Sequence, residues 1–112
     1  LPRALPYGLA MKMALTAKPI TAEVAHQYGL VTELVEKGEA VNAALELAEQ
    51  IAKNAPLGLQ ASKALIREMQ GRTEEEFWAY QAAEHMSVFK TEDAIEGATA
   101  FAEKRAPNWK GK

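Results

Sequence analysis

The sequence predicts a mostly α-helical chain with one short strand, and three observations carry that prediction. Apolar residues recur at three- and four-residue spacing through most of the 112 residues. Threonines followed by acidic residues stand where helices would begin, and glycines or prolines stand where they would end. Only LVTELV, residues 30–35, reads as a strand.

Taken in order, Pro6 suits the first turn of a helix, and Leu9, Ala10, Met13 and Ala14 keep helical spacing to about Ala17. Thr21 caps a short second helix to about Tyr28, where Gly29 supplies a left-handed stop. A third runs from about Glu39, with Val41, Ala44, Leu45, Ala48, Ile51 and Ala52 on one face and Glu46, Glu49, Gln50 and Lys53 on the other. A helix so divided packs its apolar face against a partner. Pro56 opens a fourth, carrying Leu59, Ser62, Leu65, Ile66 and Met69 to Gly71. Thr73 and Glu76 form a capping box for a fifth, over FWAYQAAEHMSVF. Thr91 caps a sixth, with Glu92 and Asp93 in its first turn and Lys104 and Arg105 at its end, where the helix dipole favours each sign.

The length fits one domain able to bury roughly 60–70% of its unfolded surface. With 48% apolar residues, 25% charged and a net charge of −2, the composition is that of a globular protein rather than a nucleic-acid binder. No stretch approaches the roughly 18 apolar residues of a membrane span. The absence of cysteine excludes thiol chemistry and, with no apolar signal segment, favours the cytoplasm. The start at Leu1 rather than methionine is expected of part of a longer polypeptide.

Two helices hold the candidate binding residues. The fifth is apolar around its circumference: Trp78, Ala82, His85 and Phe89 form a stripe, with Phe77 and Tyr80 on neighbouring directions. Such a helix is wedged between partners, as a core helix, a subunit interface or a pocket wall. The sixth carries a strip of Asp93, Gly97, Ala100 and Lys104, and a glycine in a helix interior costs about 1 kcal/mol unless something approaches its backbone closely. No phosphate loop or metal-ligand spacing is present, and His26 and His85 are far apart in sequence. Ser62 and Ser87 have no histidine–acid company, and the carboxylates at residues 74–76 and 92–93 are explained by helix capping. The residues taken alone therefore assign no catalytic group and no metal site.

LPRALPYGLAMKMALTAKPITAEVAHQYGLVTELV resembles a stretch of the enoyl-CoA hydratase/isomerase, or crotonase, superfamily. NAPLGLQASKALI and TEDAIEGATAFAEKRAPNW resemble two later landmarks, so the resemblance covers essentially all 112 residues. Pro6 and Ala17 depart from it, both standing where the family has glycine, and both read as loop variations. The resemblance implies the C-terminal, helical part of the α/β spiral fold, with residues 1–37 ending the spiral core and residues 38–112 forming a helical trimerisation region. It also implies that the oxyanion hole and the acid–base glutamates match positions before Leu1, so that this chain alone performs no hydration.

By the same resemblance the parent adds water to a trans-2-enoyl-CoA thioester. Isomerase or thioester hydrolase chemistry, or a non-catalytic assembly module, are the alternatives. Coenzyme A enters as part of the substrate, with no separate cofactor. The family's lysine that reaches the 3′-phosphate of coenzyme A matches Lys104. Arg105 is a second candidate for that ligand, and Phe89 a third, packing near the acyl chain or the adenine. The implied assembly is a homo-oligomer, trimer or hexamer in the family and at least a dimer for this chain, with neither nucleic acid nor membrane as partner.

Overall fold

The computed structural model describes residues 3–112, so Leu1 and Pro2 of the LPR motif lie outside the described residues. Six helices are present among them: α1 (Tyr7–Thr16), α2 (Ala22–Gln27), α3 (Ala40–Ala52), α4 (Pro56–Glu68), α5 (Glu74–Phe89) and α6 (Glu92–Glu103). The chain divides into two compact units, Leu1–Ala44 and Leu45–Lys112, with the division inside α3.

In the first unit α1 begins at the Pro6 carbonyl, which accepts from the amides of Leu9 and Ala10, both at 3.0 Å. Leu5, Ala10 and Ala25 are its buried apolar residues. The Thr21 hydroxyl accepts from the Val24 amide and starts α2. At the end of α2 the Gly29 amide donates to His26 at 3.0 Å and the Leu30 amide to Ala25 at 2.8 Å, around a left-handed Gly29. Those two bonds are the paired closure that favours glycine at its centre. Pro6 and Ala17 lie just outside α1, in the segments that flank it. Ala17 ends α1 at φ 52°, a conformation that costs a residue with a Cβ about 1–2 kcal/mol.

The strand expected at residues 30–35 does not form. A strand exists only as half of a ladder, and no described residue pairs with this segment. Its apolar side chains are left exposed, Leu34 at 45% and Val35 at 40%.

In the second unit α5 packs along α4 and touches α6. The capping box forms as the sequence predicts: the Thr73 hydroxyl accepts from the Glu76 amide, and the Glu76 carboxylate accepts from the Thr73 amide at 2.8 Å. Those bonds hold the Glu76 carboxyl below the usual carboxylate range. Arg72 fixes the α4–α5 turn, pairing with Glu68 at 2.6 Å while its guanidinium lies 4.9 Å from the Tyr80 ring centre. The apolar face of α3 is uncovered: Val41 is 69% exposed and Leu45 59%, and no residue of α3 is buried.

Candidate functional site

Among the described residues, long-range side-chain hydrogen bonds gather on the sixth helix and the segment after it. Thr91 starts α6, its hydroxyl accepting from the Ala94 amide at 3.1 Å and donating to the Val88 carbonyl at 2.7 Å. Past Glu103 the chain reverses and runs back along the helix as a strap. Two carboxylates one turn apart hold it there. Asp93, only 2% exposed, accepts from the amides of Lys110 at 2.7 Å and Gly111 at 2.9 Å. Glu96 accepts from both terminal nitrogens of Arg105, at 2.6 and 3.0 Å, and from the Asn108 amide at 2.7 Å. Hydrogen bonds from Arg105, then from Asn108, lower the Glu96 carboxyl to about 2, and the same ion pair raises Arg105.

The strap residue between the amides those carboxylates hold is Trp109. Its Nε1–H donates to the Lys53 carbonyl at 2.8 Å, and its ring covers Gly97 so closely that a Cβ there would stand 3.1 Å from Cη2. The backbone of Gly97 is thus covered from within the chain, which leaves no room there for a ligand or a partner's backbone. The close approach that the interior glycine signals is made by the chain's own strap. Ala100, on the same strip, is 2% exposed.

The structure separates the three candidate binding residues. Lys104 is exposed, and among the described residues its ammonium enters no ion pair. Its backbone is left-handed, φ 55° and ψ 38°, where its amide donates to Phe101 at 3.3 Å and the Arg105 amide to Ala100 at 3.1 Å. The bonds are the same pair that closes α2 around Gly29, here built around a lysine that bears about 1–2 kcal/mol of strain. Arg105 is committed to Glu96 and to Glu103, the latter at 2.6 Å. Phe89 precedes α6, whose twelve residues span about 18 Å. It lies at the opposite end of that helix from Lys104.

Phe89 is 62% exposed and stacks on His85 with ring centres 4.2 Å apart. The pair borders an open cleft of about 160 Å³ between α4 and α5, which Leu65 and Ser62 also line. Ser62 and His85 thus share one cleft, but no carboxylate borders it to complete a nucleophilic triad. No metal-holding cluster occurs among the described residues, and no helix among them is long and apolar enough to cross a membrane. Sequence reasoning missed the grip of Asp93 and Glu96 on the strap. The available signal was a Pro-Asn-Trp segment following the acidic helix, and nothing local said which acids it would meet.

Comparison with known proteins places this arrangement in a family. The family model described as enoyl-CoA hydratase/isomerase matches residues 1–112, and the chain belongs to that family. It is 43% identical over 110 residues to the enoyl-CoA hydratase EchA19 of Mycobacterium tuberculosis, covering 98% of this chain and 41% of that protein. It is 39% identical over 116 residues to the carnitinyl-CoA dehydratase of Salmonella typhi, covering 100% and 44%. Among solved structures, an enoyl-CoA hydratase from Mycobacterium tuberculosis superposes with a TM-score of 0.97 at 46% identity, over 100% of this chain and 44% of that one. A probable enoyl-CoA hydratase/isomerase from Mycobacterium abscessus gives 0.92 at 49% identity, over 99% and 44%. The chain therefore has the fold of a helical part of these enzymes and spans about two-fifths of their length.

Proposed function

We propose that the chain is the helical, assembly-forming part of a hydro-lyase acting on coenzyme A thioesters, and that Lys104 is its contribution to binding coenzyme A. One observation carries the reading. Residues 1–112 match the family model, and 98–100% of the chain matches proteins named for the two directions of one reaction type, a hydratase and a dehydratase. In the first direction water oxygen bonds to C3 of the enoyl thioester while a proton goes to C2. In the second the same C–O and C–H bonds break and water leaves. That kinship favours water addition over isomerase or hydrolase chemistry.

Either direction builds negative charge on the thioester oxygen, which needs amide donors aimed at it, and moves a proton, which needs a positioned carboxylate. The engaged carboxylates here serve other ends: Glu76 caps α5, and Asp93 and Glu96 hold the strap. The reacting groups in this reading belong to the remaining three-fifths of such an enzyme. Lys104 supplies a point charge suited to a phosphate, whereas the Arg105 fork is already filled by Glu96. The exposed faces of α3 and α5 serve a homo-oligomeric assembly.

A chimera in which residues 1–112 replace the matching segment of the Mycobacterium tuberculosis hydratase tests the proposal. It is expected to hydrate crotonyl-CoA, read as loss of the conjugated thioester absorbance, while the 112-residue chain alone shows no turnover above buffer. Lys104→Ala in the chimera should raise KM by about 5- to 150-fold, the scale of one charge-assisted bond of about 1–3 kcal/mol, with less effect at high salt and kcat kept. A folded but inert chimera, or an unchanged KM at low salt, overturns the reading. So does turnover by the chain alone that a substitution within it abolishes.

A further inference from the structure

We infer that Glu96 is a positioning residue for Lys104: by holding Arg105 and Asn108 together it fixes the left-handed turn from which the lysine side chain leaves the helix. The inference rests on the reading of Lys104 as a phosphate-binding cation and concerns how that cation is aimed.

Two left-handed helix ends in this chain have the same hydrogen bonds and different residues. Around Gly29 the turn needs no support, because glycine adopts it without steric conflict. Around Lys104 the same turn opposes the preference of a residue with a Cβ, so something beyond the two amide bonds must hold it. The structure supplies that support on one side chain. Glu96 lies eight positions before Lys104 on α6, yet it bonds residues 105 and 108, after the reversal. Both can meet one carboxylate only if the chain turns back at Lys104. Glu103 steadies the guanidinium from the helix end, Lys110 adds positive charge near Glu96, and the Trp109 contact with Gly97 continues the strap along the helix. The consequence falls on the lysine. Its stem is flexible, so the direction of its Cα–Cβ bond is the one part of its aim that the fold can set.

The test uses nuclear magnetic resonance of the 112-residue chain, with adenosine 3′,5′-bisphosphate as the phosphate probe. Glu96→Gln is expected to speed exchange of the Arg105 amide at least tenfold and to weaken the intraresidue HN–Hα NOE of Lys104, which is strong at positive φ, towards its coil value, with α5 amides unchanged. The shift of Lys104 resonances on adding the bisphosphate should shrink with them. Glu96→Asp should restore part of both. Arg105→Gln, which leaves the carboxylate in place, should act in the same direction and more weakly, and it serves if the Glu96 variant unfolds. Lys104→Gly should keep the Arg105 amide slow, because glycine suits the turn, while abolishing the bisphosphate-induced shifts of the neighbouring Glu103 and Arg105 amides.

Unchanged Arg105 exchange and Lys104 HN–Hα NOE in both Glu96→Gln and Arg105→Gln overturns the positioning role, whatever the bisphosphate does. A parent chain whose turn responds as expected but whose Lys104 ignores the bisphosphate instead overturns the phosphate reading and leaves the turn assignment standing.

Discussion

The α6 strap and helix α3 make opposite uses of polar and apolar residues. In the strap region a carboxylate that is 2% exposed finds two amides, an interior glycine meets an indole, and the indole N–H finds a carbonyl. In α3 the apolar stripe is as regular as in any amphipathic helix, yet Val41, Leu45 and Ile51 stand 69%, 59% and 47% exposed. The difference separates a self-completing motif from one that specifies half of a contact.

Asp93→Ala strikes the closed side hardest. It removes the acceptor of two amide bonds from a buried site, at an expected cost of about 2–4 kcal/mol, read by urea denaturation and by faster exchange of the Lys110 and Gly111 amides. Undisturbed exchange there would show that the strap is held by other contacts. The open side is probed by Leu45→Glu. Sedimentation velocity at tens of micromolar is expected to show the parent as at least a dimer, and a charge on the α3 stripe should weaken association tenfold or more, about 1.4 kcal/mol. A single parent species of 12.2 kDa would mean that the exposed stripe seeks no second copy.

Gly97→Ala sharpens the contrast through a change of sign. In the parent the new methyl meets a pinned Trp109, and this clash offsets the helix-propensity gain, giving a net loss of about 1 kcal/mol. In a Trp109→Ala background the same substitution should stabilise by about 1 kcal/mol, as for any exposed helix glycine. Equal effects in the two backgrounds would remove Trp109 as the reason for the glycine.

The smallest effect is that of acid. Glu96 has its carboxyl lowered from 4.5 to about 2 by Arg105 and Asn108, so folding favours its charged form. That contribution is complete above pH 4.5 and drains away as pH falls towards 2. The lowered carboxyls of Glu76 and Glu23, bonded to Thr73 and Thr21, add losses of the same sign. Amide exchange at Asn108 is expected to quicken across that window, and a flat profile would detach the strap from the Glu96 charge.

The helices were legible because their signals are local. Thr21, Thr73 with Glu76, and Thr91 each cap within three residues of themselves, and Gly29 and Gly71 are left-handed as their positions predict. The failure at residues 30–35 has the complementary cause, since alternation describes a face and says nothing of a ladder partner. The candidate site divides the same way. Lys104 was placed by family resemblance, and its left-handed backbone became visible only in the structure. Asp93 read as an ordinary first-turn acid because its partners lie 17 and 18 positions ahead. Gly97 gave a true signal of close approach, but the identity of the approaching group depended on a reversal at Lys104, where the residue argues against a turn.

The seating of Trp109 also makes the strap visible to light. Of the two tryptophans, Trp78 is 55% exposed on α5 with its Nε1–H on Glu74, whereas Trp109 is half-buried with its ring on a helix backbone and its Nε1–H on the Lys53 carbonyl. Lifting the strap would transfer that indole from a half-buried seat on the helix to water. Its emission would move to longer wavelength while that of Trp78 stayed put. In a Trp78→Phe background, a single fluorophore would then report whether the end of α6 is open or closed, on the nanosecond scale of its excited state and without a label.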